Sequence, residues 1–365
     1  MPPSGPAPAV AGRQRQARSI DNEPAGRPQA PERAGEGGKE MSFNRRFLAA
    51  ASAAAFLALP LAAPQALEIK SSDVHPMGYP TTDAIEYMGK LLNEWSSGRL
   101  NIKIFHSMQL GGEKEALEQV QIGALEMTRV SVGVVGPIVP DFNAFNLPYF
   151  FRSVEHMHKV TEGEIGTELL AKLEAGGLIG LGYMDAGSRS FYNKVKPITS
   201  PADMKGMKLR VMQNPIFVEM VNAMGGNGLP VAYNELYTAM QTGVVDGAEN
   251  NPPSYESGKH YEVAGYYSLT EHLMVPEIFV FSKKVWDTLA PVDQLLIRKA
   301  SAFAVIKERE LWAAREQKSL GILKEKGIKL VEKVDKAPFI NATEPVRKQF
   351  GAKFSDLIAR AAAVK

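Results

Sequence analysis

There is no cysteine in the 365 residues of this chain. That excludes disulfides, thiolate metal sites, cysteine nucleophiles and a lipid-modified N-terminal cysteine. No apolar run is long enough to suggest a polytopic membrane protein. Common signatures of chemistry are missing too: no GxGxxG after a strand, no GxxxxGK before Ser or Thr, no HExxH and no GxSxG. The six histidines are scattered. His156 and His158 stand two apart and face different ways on a helix, so they do not make a metal pair. No cofactor and no metal site is expected. The formal charge of +2 is misleading, because residues 1–66 hold eight Lys/Arg against five Asp/Glu. The remainder carries 34 basic and 35 acidic residues, close to −1, which leaves no basic field to hold nucleic acid. No internal repeat is present.

Residues 1–40 are rich in Pro, Gly, Ala, Arg and Glu and hold almost no large apolar residue. Such a segment cannot bury enough surface to order itself, so a disordered or untranslated leader is expected. From Met41 the text reads as a complete export signal. Arg45 and Arg46 make a positive n-region, Phe47 to Leu61 an apolar h-region, and small residues lead to a cleavage site after Ala66. The expected mature chain lies outside the cytoplasmic membrane.

Beyond Ala66 the pattern alternates strand and helix. Leu67–Ser72 and Leu100–Phe105 read as strands. Between them a helix capped by Thr81 or Thr82 carries apolar positions at Ala84, Ile85, Met88, Leu92 and Trp95. Gly111-Gly112 opens a second helix. This β-α-β-α rhythm predicts an α/β layer with a mostly parallel sheet. In such sheets ligands sit beyond the carboxyl ends of strands. His75 and Glu113 fall in post-strand loops. Taken alone, His75 reads equally as a surface histidine and Glu113 as an acid complementing a helix dipole. Arg129 stands among Met127, Val130, Val132 and Val134 in strand text, an odd place for a solvated arginine. The aromatic run Phe142 to Arg152 packs a corner or walls a cleft. From Pro291 a helical period runs to Leu323, long enough to lie across two lobes.

The most informative stretch runs from Lys208 to Pro252. Arg210 sits in GMKLRVMQNP, an apolar strand closed by the turn Asn214-Pro215. A buried arginine is costly unless a carboxylate pairs with it. Either the carboxylate is internal, or it belongs to a ligand that the planar guanidinium grips with two parallel hydrogen bonds. Asn250 and Asn251 follow a strand and either present amides to a ligand or make an ordinary turn before Pro252. Arginine and asparagine near strand ends recognise anions and hydroxyls but break few bonds. The chain therefore reads as a binder and not an enzyme.

The HPMGYP loop, LGGEKEALEQVQIGALEM, GMKLRVMQNP and ELYTAMQTGVVDGAENNP, in that order after an export signal, closely resemble the DctP-type solute receptors of tripartite ATP-independent periplasmic (TRAP) transporters. The resemblance covers about residues 67–345. It implies a two-lobed periplasmic-binding-protein-like α/β fold with hinge strands and a long helix spanning both lobes. Residues 67–187 and 276–315 would form lobe I, and 188–275 and 316–365 lobe II. It implies that Arg210 clamps a ligand carboxylate, that Arg189 is a second ligand-facing arginine, and that Asn250 and Glu113 contact ligand. His75 and Arg129 join them from position and from the more similar members. The implied partners are an organic acid and integral membrane permease subunits, with the receptor a monomer in the periplasm. A glutamate facing the ligand disfavours diacids, so a uronate or aldonate is favoured. The alternatives are a C4-dicarboxylate receptor, an exported sugar-acid enzyme and a sensor-linked binding protein.

Overall fold

The computed structural model describes residues 66–365. The leader expected at 1–40 and the export signal expected at 41–66 lie outside the described residues, save Ala66. The chain opens with β1 (Leu67–Ser72), α1 (Pro80–Trp95), β2 (Leu100–Phe105), α2 (Glu113–Ile122) and β3 (Met127–Ser131). A one-turn α3 (Val132–Val135) follows, then α4 (Val154–Glu162), α5 (Glu164–Lys172) and β4 (Leu178–Met184). The chain crosses into β5 (Ser188–Asn193), β6 (Lys208–Val211), α6 (Pro215–Ala223), β7 (Asn227–Pro230), α7 (Tyr233–Thr242), β8 (Gly247–Asn250), α8 (Pro252–Ser257) and β9 (Tyr266–Met274). It returns through β10 (Glu277–Ser282), α9 (Lys283–Trp286) and the long α10 (Pro291–Glu325). Last come β11 (Lys329–Val331), α11 (Ala337–Ala342), α12 (Glu344–Gly351) and α13 (Ser355–Ala363).

Two sheets result, with strand orders β2-β1-β3-β10-β4 and β11-β9-β5-β8-β6-β7. Each anchors one α/β lobe. Crossover helices make β1, β2 and β3 parallel. The first sheet is nonetheless mixed, where a mostly parallel one was expected, because β10 runs antiparallel to both β3 and β4. The cause is topological: β10 comes back from the second lobe and enters the sheet from the opposite end.

Local chemistry sets two boundaries differently from expectation. The strand text around Arg129 stops at Ser131, whose hydroxyl accepts from the Gly133 amide at 3.2 Å and caps α3. Helix α1 begins at Pro80 without a side-chain cap, since the Thr81 hydroxyl turns back to Asp73 at 2.7 Å and that of Thr82 to the Pro76 carbonyl at 2.8 Å.

The lobes are joined at 185–187 and 275–276, and α10 lies along both. Its first half is held to the first sheet by Ser301, which donates to the Leu181 carbonyl at 2.7 Å, and by the Arg99–Asp293 ion pair at 2.8 Å. Its second half reaches α8 of the other lobe, where Arg315 pairs with Glu256. Gly187 takes φ +56° under α10, and a Cβ there would stand 2.8 Å from the Glu316 carboxylate. Only glycine fits that crossing without strain.

The aromatic run is a packing corner. Phe142 and Phe145 are wholly buried with Phe151 beside them, the Phe145 and Phe151 ring centroids 5.2 Å apart. Phe145→Ala should cost about 3–5 kcal/mol of stability, the range for emptying an aromatic site in a core. Denaturant unfolding of the variant against wild type measures it.

Candidate functional site: an enclosed cavity between the lobes

The carboxyl ends of β1, β3, β6 and β8 and the first residues of the oppositely running β5 and β10 meet in one place. They line one narrow polar cavity between the two lobes. From the first lobe the lining is Val74, His75, Glu113, Ser131, Val134 and Glu277. From the second it is Arg189, Arg210, Met212, Gln213, Tyr233, Asn250 and Ser254. The lobes touch across the rim. Asn214 donates to the Gly133 carbonyl and to Asn143 Oδ1, each at 2.9 Å, and the Tyr79 hydroxyl meets that of Ser254 at 2.9 Å. This is a closed conformation, and it leaves little room for solvent beside the polar groups.

Three buried arginines surround the cavity, and their partners separate them. Arg129 is wholly enclosed by acids. Its Nε donates to Asp73 at 3.2 Å and its Nη2 to the other Asp73 oxygen, while Nη1 reaches Glu113 at 2.5 Å and Glu277 at 2.8 Å. Arg189 is paired with Glu249, Nε at 2.6 Å and Nη2 at 2.8 Å, and its Nη1 donates to Asn250 Oδ1 at 2.8 Å. Burial works against the Arg189 charge, but the Glu249 carboxylate outweighs it and raises the pKa above the guanidinium norm. Arg210 is different. Its Nε donates to the Val231 carbonyl at 2.7 Å, its guanidinium stands 5.9 Å from the Tyr233 ring centroid, and its buried Nη1 has no partner. Among the described residues no carboxylate lies within ion-pair distance of it. Burial, with Arg189 nearby, pulls its pKa below the usual guanidinium value. It sits on β6, flanked by β7 and β8, and is buried.

The other polar groups are held by their neighbours. The His75 ring stacks on Tyr79 at 3.7 Å and meets the edge of Tyr233 at 5.6 Å. Burial, reinforced by Arg129, pushes it down to about 3, so it is neutral, and its Nδ1 has no partner. Asn250 Oδ1 is occupied by Arg189 and by the Asn251 amide at 2.8 Å, which leaves the Asn250 NH2 for the cavity. Asn251 is turned away and caps α8, accepting from the Ser254 amide at 2.7 Å. Among the described residues no group of three His, Asp or Glu is arranged to hold a metal ion. The three acids that converge here converge on Arg129.

The structure thus brings five sequence-level candidates to the cavity wall: His75, Glu113, Arg189, Arg210 and Asn250. Arg129 stands behind that wall. Sequence reasoning missed Glu277, Tyr233 and Ser254 at the wall and Asp73 and Glu249 behind it. An acid opening the apolar text VPEIFVF was a usable signal for Glu277. Glu249 had none, since the partner of Arg189 is set by the β5–β8 pairing of Phe191 with Glu249.

Two α/β lobes closed over an anion-ready cavity define the solute-receptor class. The family described as bacterial extracellular solute-binding protein, family 7 (DctP) matches residues 71–353, and the chain belongs to it, as a TRAP-type solute receptor. A TRAP periplasmic solute-binding protein of Pseudomonas putida F1, solved with bound D-glucuronate, is 49% identical with TM-score 0.80, covering 82% of this chain and 98% of that one. One from Sulfitobacter sp. NAS-14.1, solved with bound β-D-galacturonate, is 42% identical with TM-score 0.78, covering 80% and 98%. A solute-binding protein of Chromohalobacter salexigens is 41% identical over 285 residues, 78% of this chain and 85% of its own length.

Burial would raise the Glu249 carboxyl, but Arg189 and the adjacent His272 hold it down at about 2 against an ordinary 4.5. A depressed acid stabilises the fold above its unfolded pKa, and that contribution is lost as pH falls from about 4.5 to about 2. Glu249→Gln should therefore cost about 3–5 kcal/mol at neutral pH by stranding Arg189, and should flatten the acid limb of stability. Urea unfolding across a pH series checks both.

Proposed function

We propose that this protein is the receptor that delivers a hexuronate, such as D-glucuronate or D-galacturonate, to a TRAP permease. The observation that carries it is Arg210, a buried guanidinium with no anion beside it among the described residues, lining the cavity between the lobes. A ligand carboxylate offsets that deficit with two charge-assisted hydrogen bonds. The similar receptors solved with glucuronate and galacturonate support the ligand class. Around the clamp, Arg189 supplies its remaining Nη1 hydrogen, Asn250 its amide NH2, and His75 its unpartnered ring nitrogen. Glu113 accepts from sugar hydroxyls. Arg129 positions Asp73, Glu113 and Glu277 and does not itself touch ligand.

Binding proceeds by closure at the 185–187 and 275–276 crossings, with α10 as the strap. Closure excludes water and strengthens each ionic contact in the site. The closed form docks on integral membrane subunits, which couple transport to an ion gradient. The protein acts in the periplasm as a monomer after cleavage near Ala66, and it catalyses no reaction.

Arg210→Ala should lose about 3–5 kcal/mol of D-glucuronate binding, the scale for one half of a buried ion pair. Arg210→Met should leave the unliganded fold about as stable as wild type, because no internal carboxylate is stranded and only the Val231 carbonyl loses a donor. Calorimetric titration tests the first and ligand-free thermal unfolding the second. Unchanged affinity, or an unliganded Arg210→Met variant that is strongly destabilised, would show the clamp assignment wrong.

A further inference from the structure

Arg129 is one positive charge in contact with three carboxylates, and they are served unequally. Asp73 takes two of its nitrogens and also accepts from the Thr81 hydroxyl at 2.7 Å and the His75 amide at 2.9 Å. Glu113 takes Nη1 and the Ser131 amide at 3.3 Å, and opens the ten-residue helix α2, whose N-terminal end favours an anion. Glu277 has only the shared Nη1, through one oxygen; its other oxygen has no protein donor among the described residues. Glu113 and Glu277 both line the cavity, so two carboxyl groups press on one nitrogen at the surface a ligand meets. Two such groups in a dry site do not both ionise freely.

We propose, building on the sugar-acid reading, that Glu277 carries a proton at neutral pH and donates it to a ligand oxygen, while Glu113 accepts from a ligand hydroxyl. The pair then distinguishes ligand oxygens by hydrogen-bond sense, which two acceptors could not do. Its surroundings agree. Burial raises the Glu277 carboxyl to about 7, with Arg129 opposing and Glu113 and Asp73 reinforcing. Arg189 on β5, Glu308 on α10 and Tyr79 beside α1 also act on it. Glu308 is itself buried and pushed well above the carboxylate range, first by burial and then by Asp185, so it brings no compensating charge. A ligand carboxylate entering the cavity adds negative charge and holds the proton on Glu277 more firmly. Binding therefore takes up a proton wherever free Glu277 has lost it, and affinity falls as pH rises above about 7. His75 and His260, each held near 3, do not titrate in that window.

The test has two arms on the purified protein. In calorimetry with D-glucuronate from about pH 6 to about pH 8.5, in buffers of different ionisation enthalpy, affinity should fall at least about tenfold with net proton uptake. Glu277→Gln should abolish both the slope and the uptake. In the unliganded protein, the carboxyl 13C resonance that disappears in Glu277→Gln should titrate near neutrality. A flat wild-type profile without proton uptake, a Glu277→Gln variant that keeps the slope, or a resonance titrating at the ordinary value of about 4.3 overturns the proposal. A protein that binds no hexuronate at any pH, yet whose Glu277 resonance titrates near neutrality, defeats the sugar-acid reading and upholds the protonated carboxyl.

Discussion

A buried guanidinium on a central strand has to meet an anion or destabilise the fold, and Arg210 meets none among the described residues. The rest of the architecture is consistent with that deficit. The second sheet holds the Arg210 backbone in register with Leu229 and Ala248, the Val231 carbonyl orients Nε, and Tyr233 lies beside the guanidinium. Neither Nη nitrogen has a protein partner among the described residues, and the side chain lines the cavity. Elsewhere the protein neutralises its buried charges with care: Glu249 for Arg189, three acids for Arg129. An uncompensated charge amid such pairing is the physical basis of the proposed carboxylate clamp.

Closure makes this deficit useful. The Asn214 amide bridges the lobes to Gly133, and a Cβ on Gly133 would stand 2.8 Å from both Met212 and Phe217, so the rim seals only because that residue is glycine. Sealing lowers the local dielectric, which strengthens a clamp–carboxylate pair far beyond its worth in water. The long α10 is attached to both lobes. The cavity thus depends on the antiparallel crossing strands, since Arg189 is the second residue of β5 and Glu277 the first of β10, just past those crossings.

Much of the fold was legible in the sequence. Period-two alternation located β1 and β2 to the residue, and Gly243 closed α7 where expected. The spanning helix was readable from its period alone. The short helix after Ser131 was not, because β-branched text continues through it and only the Ser131 cap turns the chain. Strand β9 was hard to read because YYSLTEHLM mixes polar and aromatic residues on both faces. The site was half legible. Arg129, Arg189 and Arg210 look alike in sequence, each beside or within strand text. What separates them is the distribution of Asp73, Glu113, Glu249 and Glu277, which only tertiary pairing decides. Family resemblance singled out Arg210 as the expected clamp; the geometry shows it to be the one of the three without a carboxylate partner among the described residues.

The most direct measurement is a crystal structure of this protein with D-glucuronate bound. The account predicts both carboxylate oxygens of the sugar acid on the Arg210 guanidinium, within about 3 Å, in the geometry of a bidentate pair. A sugar acid bound with its carboxylate on another group, and Arg210 still without an anion, would contradict it.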